Sequence, residues 1–304
     1  MYVVGIDENG LGPRLGMFCV TAAVFECSSY DKNLFWKNAS DGAVDDSKKV
    51  MASGRTGKGR RIAAAYLAQL GHFPETDADF IEFVNHRSAG SLSNDCPPCV
   101  RSMCRAGHSP FCEDSVSAVS DNLFSLLKDA GIRFAGAESV FLCPKEFNRG
   151  IDRFGSKMML EFFIMEKFFR KYGAADTGRG ETLFICGKLG GTKRYGRYFD
   201  YLKKYRVANL QEGTDSFYEF DGLGRIEFVK DGDALHLPVA LASVFGKLVR
   251  EIFMDSLNGY FGNLDKSLPV VSGYNDHLTR EFIEKTVPVR RERGIPDICF
   301  LRKR

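Results

Sequence analysis

The sequence predicts an α/β protein with a mixed sheet flanked by helices, and three observations carry that expectation. The chain opens on Tyr2-Val3-Val4-Gly5-Ile6, a buried β run that leads straight into Asp7-Glu8 and the turn-forming Asn9-Gly10-Leu11-Gly12-Pro13. A second apolar run, Met17 to Phe25, follows a loop short enough to make antiparallel pairing with the first natural. From residue 132 onward, strand-like and helix-like segments alternate.

Adjacent residues on a strand point to opposite faces, so Asp7 and Glu8 share a site only where the strand ends or bends. Acids at a strand end beside a close-approaching Gly-rich backbone suit a hard divalent cation and a phosphate ester. The alternative is a pair of acids that merely solvate a turn. Further along, Arg61 to Leu70 is Ala-rich and reads as a helix, and 114–130 carries apolar residues at helical spacing up to Gly131. Ile132 to Leu142 reads as a strand. Met158 to Phe169 is apolar nearly all round, which predicts a deeply packed helix. Thr182 to Cys186 is a short buried strand ending at Gly187, and Arg225 to Val229 is another. Pro238 to Leu257 is the strongest helix, with Pro at its start and Leu241, Val244, Phe245, Leu248 and Ile252 at core spacing. Residues 73–95 show no assignable pattern, and no internal repeat is present.

Composition narrows the function classes. A chain of 304 residues with 26 Phe and a single Trp has ample material for a Phe-rich core. The net charge of +3 is small, so any nucleic-acid surface must be a local cluster. No apolar run approaches the roughly 20 residues of a membrane span, and the N-terminus is a strand rather than a signal peptide. Nine cysteines, an odd number, point to a reducing interior and metal rather than a disulfide framework. A cytoplasmic monomer with no membrane partner is expected. The Gly-rich basic segment 53–61 cannot be aligned with a phosphate-binding G-x-x-x-x-G-K-[ST] loop.

Three segments together resemble ribonuclease HII, the type-2 ribonuclease H family. Gly5-Ile6-Asp7-Glu8-Asn9-Gly10-Leu11-Gly12-Pro13 is similar to the family's G-I-D-E-A-G-R-G-P, and Asp46-Ser47-Lys48-Lys49 to its D-S-K-K/L. Gly232-Asp233-Ala234, followed by Val239 to Glu251, resembles its G-D-A/S and I-A-A-A-S-I-x-A-K-V-x-R-D run. Ser272-Gly273-Tyr274 resembles the family's late G-Y turn. Lys188-Leu189-Gly190-Gly191-Thr192-Lys193-Arg194-Tyr195 is similar to the Gly-Gly motif of a long, divergent bacterial subgroup. The resemblance touches about a quarter of the residues, spread over most of the chain. It implies one ribonuclease H-like domain over 1–304; the cysteine spacing, which is not part of the family pattern, places a Cys-rich insertion at 85–114 within it.

The implied activity is metal-dependent endonucleolytic cleavage of RNA in RNA/DNA hybrids, or at ribonucleotides in duplex DNA. In the family, carboxylates hold two Mg²⁺ or Mn²⁺ ions, and Asp7, Glu8 and Asp233 match three of its four acids. Gly10, Leu11 and Gly12 match the loop that reads the 2′-hydroxyl, with Leu in place of the family's Arg, and Tyr274 matches the tyrosine that stacks on the sugar. Lys48, Lys49 and Lys247 fall in matching motifs and are candidate nucleic-acid contacts. The departure lies at the third acid, which should close the strand near 185. Cys186-Gly187 stands there, and neither residue is an oxygen ligand for magnesium. Asp231 is one candidate replacement. A catalytically inactive nucleic-acid-binding protein is therefore the alternative to an enzyme.

Two further segments carry chemistry of their own. Lys188 to Arg206 interleaves cations, Lys193 and Arg194 among them, with Tyr195, Tyr198, Tyr201 and Tyr205. That pattern suits phosphate contacts with stacking, or equally an amphipathic helix whose tyrosines pack inward. Cys96, Cys99, Cys104, His108 and Cys112 form C-x₂-C-x₄-C-x₃-H-x₃-C, five candidates for the four places of one structural zinc, the alternative being free cysteines in a loop. Cys19, Cys27, Cys143 and Cys299 lie in apolar stretches and read as small core residues.

Overall fold

The computed structural model describes residues 1–39, 56–86, 98–107, 109–112, 117–173 and 181–303. Asp46-Ser47-Lys48-Lys49, Cys96, His108 and the side chain of Cys99 lie outside the described residues.

In chain order, β1 (Tyr2–Asn9) and β2 (Phe18–Cys27) are followed by α1 (Lys32–Ala39), α2 (Thr56–Ala68), α3 (Asp77–Val84), α4 (Pro98–Met103) and α5 (Ser117–Asp129). Then come β3 (Ile132–Leu142), α6 (Pro144–Phe154), α7 (Lys157–Tyr172) and β4 (Thr182–Gly187). After β5 (Val207–Gln211), β6 (Ser216–Phe220) and β7 (Gly224–Val229), the chain is helical: α8 (Gly232–Leu235), α9 (Leu237–Leu264), α10 (His277–Lys285), α11 (Val287–Glu292) and α12 (Asp297–Phe300).

The strands form one mixed sheet in the order β3-β2-β1-β4-β7-β6-β5. β1, β2 and β3 are antiparallel neighbours, and β4 and β7 run parallel to β1 on its other side. Alternation along β1 sorts the core into two layers. Val3 packs with Leu241, Val244, Leu248 and the residues of α2 and α3, whereas Val4 and Ile6 pack with Phe162, Met165 and Phe169 of α7. The expected α/β class and mixed sheet are both present.

Close approach of α9 to the sheet depends on missing side chains. A Cβ on Gly5 would fall 2.1 Å from the Pro238 carbonyl carbon, and one on Gly246 would fall 2.5 Å from Asn9 Nδ2. These two glycines let the helix axis settle directly over β1.

Several elements escape the sequence pattern. β1 does not stop at Asp7 but stays paired with β2 through Asn9↔Cys19. α6 and the β5–β6 hairpin are polar or short, and α10 to α12 are brief helices on the far half of α9, where Met254, Leu257 and Phe261 pack against Phe282 and Phe300. α9 itself runs seven residues beyond the expected 257, to Leu264. Within 85–114, the described residues pack on the main body: Phe111 stacks on Phe80 at 4.6 Å, and Val100 and Met103 are buried. Cys19, Cys27, Cys143 and Cys299 are buried, as their surroundings in the sequence suggest.

Candidate active site

Asp7 and Glu8 lie on opposite faces of a strand that continues past them, and yet both line one open cavity of about 620 Å³. The reason is the neighbouring strand. β1 and β4 pair up to Ile6↔Cys186, and β4 ends at Gly187, so beyond that point one edge of β1 is uncovered and side chains from either face reach the gap. Asp233 arrives from the other side. The turn after β7 passes through Asp231, held in the left-handed region at φ 53°, and opens α8 at Gly232. Gly232 packs so close to the end of β4 that its Cβ would stand 3.7 Å from Gly187 Cα. The following residue, Asp233, therefore lines the same cavity.

The electrostatics follow from this geometry. Burial raises the pKa of Asp7, Asp233 raises it further, and a hydrogen bond with Ser243 and the charge of Lys247 oppose the shift. Glu8 is raised by burial and then by Asp7. Ser243 and Lys247 stand one helical turn apart on α9, which Gly5 admits close to the strand. Asn9 Nδ2 donates to Asp7 Oδ2 at 3.3 Å. The site thus holds concentrated negative charge that its own cations offset only in part.

The rim is a clamped loop. Gly10 adopts φ 84°, and a Cβ there would meet Met17 O at 2.8 Å. Leu11 O accepts from Lys157 Nζ at 3.5 Å and from Arg302 Nη2 at 3.3 Å. Gly273 O accepts from the amides of Arg14 and Leu15, which joins this loop to the Tyr274 turn. Tyr274 is 51% exposed at the cavity edge, with the Arg250 guanidinium 4.9 Å from its ring centroid.

Other expected residues are distributed differently. Cys186 is fully buried on the α7 side, paired with Ile6, and burial pushes its thiol well above the usual range, so it is a core residue. Gly187 is the position at the site. Lys193 and Arg194 do not line the cavity; Lys188 and Lys230 do. Asp231 lines it, but its side chain is 62% exposed beside Lys230. Of the interleaved tyrosines, Tyr195 belongs to the core, stacked on Phe228 at 3.8 Å, while Tyr201 and Tyr205 lie half-buried with Lys204 over both rings. Cys104 and Cys112 are half-buried against apolar clusters. Among the described residues, no group of three or more His, Cys, Asp or Glu is gathered closely enough to form a ready metal cage.

One acid in this region carries no motif. Glu161 sits in α7 and is 1% exposed, and its Oε1 has no hydrogen-bond partner. Burial raises its pKa far above the carboxylate range, and the next contributions come from Glu8 and then Asp7. Its only signal in the sequence is a charge inside the apolar run Met158 to Phe169.

The order β3-β2-β1-β4-β7 is antiparallel across the first three strands and parallel from β1 through β4 to β7, a mixed sheet flanked by helices as expected. The fold is ribonuclease H-like. No protein-family model and no curated protein sequence matches the chain. Among solved structures, it is similar to the ribonuclease HII of Archaeoglobus fulgidus in its complex with PCNA, at 18% identity and a TM-score of 0.46, over 100% of this chain and 95% of that one. It is similar to the ribonuclease H2 of Pyrococcus horikoshii at 19% identity and a TM-score of 0.46, over 98% and 92%. Bst-RNase HIII in complex with Mn²⁺ is similar at 14% identity and a TM-score of 0.46, over 100% of this chain and 66% of that chain.

Proposed function

We propose that this chain is a metal-dependent endonuclease that cuts the RNA strand of RNA/DNA hybrids, or at ribonucleotides in duplex DNA, by two-metal-ion phosphodiester hydrolysis. The observation that carries this reading is the gathering of Asp7, Glu8 and Asp233 on one open cavity rimmed by Gly10-Leu11-Gly12 and Tyr274. The donor set is hard oxygen, and burial raises the pKa of both Asp7 and Glu8, with Asp233 adding to the shift of Asp7 and Asp7 to that of Glu8, which is the charge surplus that Mg²⁺ or Mn²⁺ neutralises. Bound there, the cations supply activation of the attacking water and stabilisation of the leaving oxygen.

The chain's own residues do the rest. Asp7, Glu8 and Asp233 hold the cations, and Ser243 and Asn9 orient the Asp7 carboxylate. Lys188 and Lys230 line the cavity where phosphates of a duplex would pass. The backbone of Gly10-Leu11-Gly12 and the Tyr274 ring meet the sugar edge, where a 2′-hydroxyl separates RNA from DNA. Among the described residues no helix is long and apolar enough to cross a membrane, and a cytoplasmic monomer acting on nucleic acid completes the reading.

The test is cleavage of a labelled duplex containing a short RNA stretch, with Mg²⁺ and Mn²⁺ assayed separately. The expected result is cutting by the wild type that Asp7→Asn abolishes. The glycine at 187, where the resemblance calls for an acid, favours a second reading: an inactive protein that only binds hybrids. Tight hybrid binding without cleavage in either metal would establish that one. The Cys-rich segment adds a structural zinc to the proposal, drawn from Cys96, Cys99, Cys104, His108 and Cys112. One zinc per purified chain supports it, and none removes it.

A further inference from the structure

Two cations converge on one carbonyl of the cavity rim. Lys157 Nζ, at the start of α7, donates to Leu11 O at 3.5 Å, and Arg302 Nη2 donates to the same oxygen at 3.3 Å. The fold holds Arg302 in place from both sides. Asn148 of α6 donates to Leu301 O at 2.8 Å and accepts from the Lys303 amide at 2.7 Å, and the Arg302 amide donates to Arg14 O at 2.9 Å. The Phe147 ring lies against both charges, its centroid 3.9 Å from the Arg302 guanidinium and 5.9 Å from Lys157 Nζ.

Stability does not account for this arrangement. Arg302 is 1% exposed, and its Nε and Nη1 have no hydrogen-bond partner. Burial lowers its pKa to about 9, with Arg250 adding to the shift, and Lys157 is lowered by burial and then by Arg302 and Arg14. Among the described residues neither cation has a carboxylate partner. An apolar side chain in place of a buried, poorly paired charge is commonly neutral or stabilising, so a chain that keeps Arg302 has another use for it. The rim shows what that use is. The Leu11 carbonyl and the Gly12 amide belong to one planar trans peptide and point in opposite directions. Leu11 packs its side chain against the α7 layer, the side from which both cations hold its carbonyl. Gly12 is exposed and lines the cavity, and its amide donates to no group among the described residues. A Cβ on Gly12 would meet nothing within 4 Å, which leaves room for a ligand oxygen to approach.

We propose that Arg302 and Lys157 are positioning residues that pin the Leu11 carbonyl inward and so aim the Gly12 amide at a ribose 2′-hydroxyl in the cavity. This inference rests on the hybrid-directed reading above, and it assigns discrimination between ribose and deoxyribose to two cations that do not themselves line the cavity. Neither touches the nucleic acid. They act through one peptide plane, which carries their hold on the carbonyl to the donor on its far side.

The experiment is anisotropy titration of the full chain against a labelled duplex carrying a short RNA stretch and against the all-DNA duplex of the same sequence. Divalent cations are left out so that no strand is cut, and a salt series is run for the wild type, Arg302→Met, Arg302→Lys and Lys157→Met. The expected wild-type result is tighter binding of the RNA-containing duplex. Arg302→Met and Lys157→Met should each reduce that preference about threefold or more, with the slope of log affinity against log salt unchanged. Arg302→Lys, which keeps a cation on the carbonyl, should retain most of it. Thermal midpoints check folding, and Lys157→Met, at a half-buried position, carries the test should Arg302→Met unfold. An unchanged preference in the folded variants would overturn the positioning role and leave the hybrid reading standing. Equal weakening of both duplexes with a shallower salt slope would also overturn it, by making the two cations ordinary phosphate contacts. A wild type that binds both duplexes alike would overturn the inference and the hybrid reading together.

Discussion

A Cβ built on Gly187 would lie 3.2 Å from Asp7 Oδ1 and 4.0 Å from Glu8 Oε2. One residue past the last pair of β1 and β4, the two chains still run side by side, and position 187 faces the acids directly. Cys186, its neighbour, points the other way into the α7 layer. A carboxylate in this site could only come from 187 on this strand, never from 186.

Gly187→Asp should accordingly create a metal-responsive variant. Without divalent cations, a further carboxylate beside two like charges is expected to lower the unfolding free energy by about 1–2 kcal/mol. Millimolar Mn²⁺ should recover most of that loss. Denaturant unfolding with and without Mn²⁺ measures both, and equal destabilisation in the two conditions would mean that the cavity does not hold the cation.

Gly5→Ala tests how α9 is seated. The added methyl meets the Pro238 backbone at 2.1 Å, and backbone cannot turn aside as a side chain can. The expected cost is about 3 kcal/mol or more, with loss of cleavage because Ser243 and Lys247 ride on the displaced helix. Circular dichroism during urea unfolding reads the stability, and a change under 1 kcal/mol would contradict this packing.

Lys188→Ala and Lys230→Ala should each weaken hybrid binding and reduce the slope of log affinity against log salt by about one. Arg194→Ala, 81% exposed and away from the cavity, should leave that slope unchanged. Anisotropy titrations over a salt series separate the two groups of residues, and the reverse ranking would move the nucleic-acid path to the Tyr-rich segment.

Glu138 predicts the acid limb of stability. Burial opposes its charge, but hydrogen bonds with His86, Lys171 and Tyr172 win and hold its pKa at about 2, against an ordinary 4.5. Because the folded value is the lower one, this stabilisation is complete above the ordinary pKa and is lost as pH falls from about 5 toward 2. Glu138→Gln should cost of the order of 2 kcal/mol at neutral pH and converge with the wild type near pH 2. Parallel acid-unfolding curves for the two proteins would rule this cluster out as the cause.

The sequence by itself determined the local pieces. Apolar β-formers ending in Asp7-Glu8 specify the first strand, strand-like runs specify Ile132–Leu142 and the short buried Thr182–Cys186, and Pro238 with its apolar spacing specifies the long helix. The order of the acidic motifs along the chain was likewise enough to suggest the fold. Tertiary structure alone decided which residues meet. The early end of β4 is what lets both carboxylates of an unbroken strand enter one cavity, and strand register is what assigns 187 rather than 186 to the site. Lys188 and Lys230, and not Lys193 or Arg194, line the cavity because a loop and a turn, which have no period, deliver them. Glu161 was invisible for a related reason. In sequence it is one charge in an apolar helix, and its burial, with Oε1 left without a partner, depends on the strands that helix covers, which only long-range packing sets.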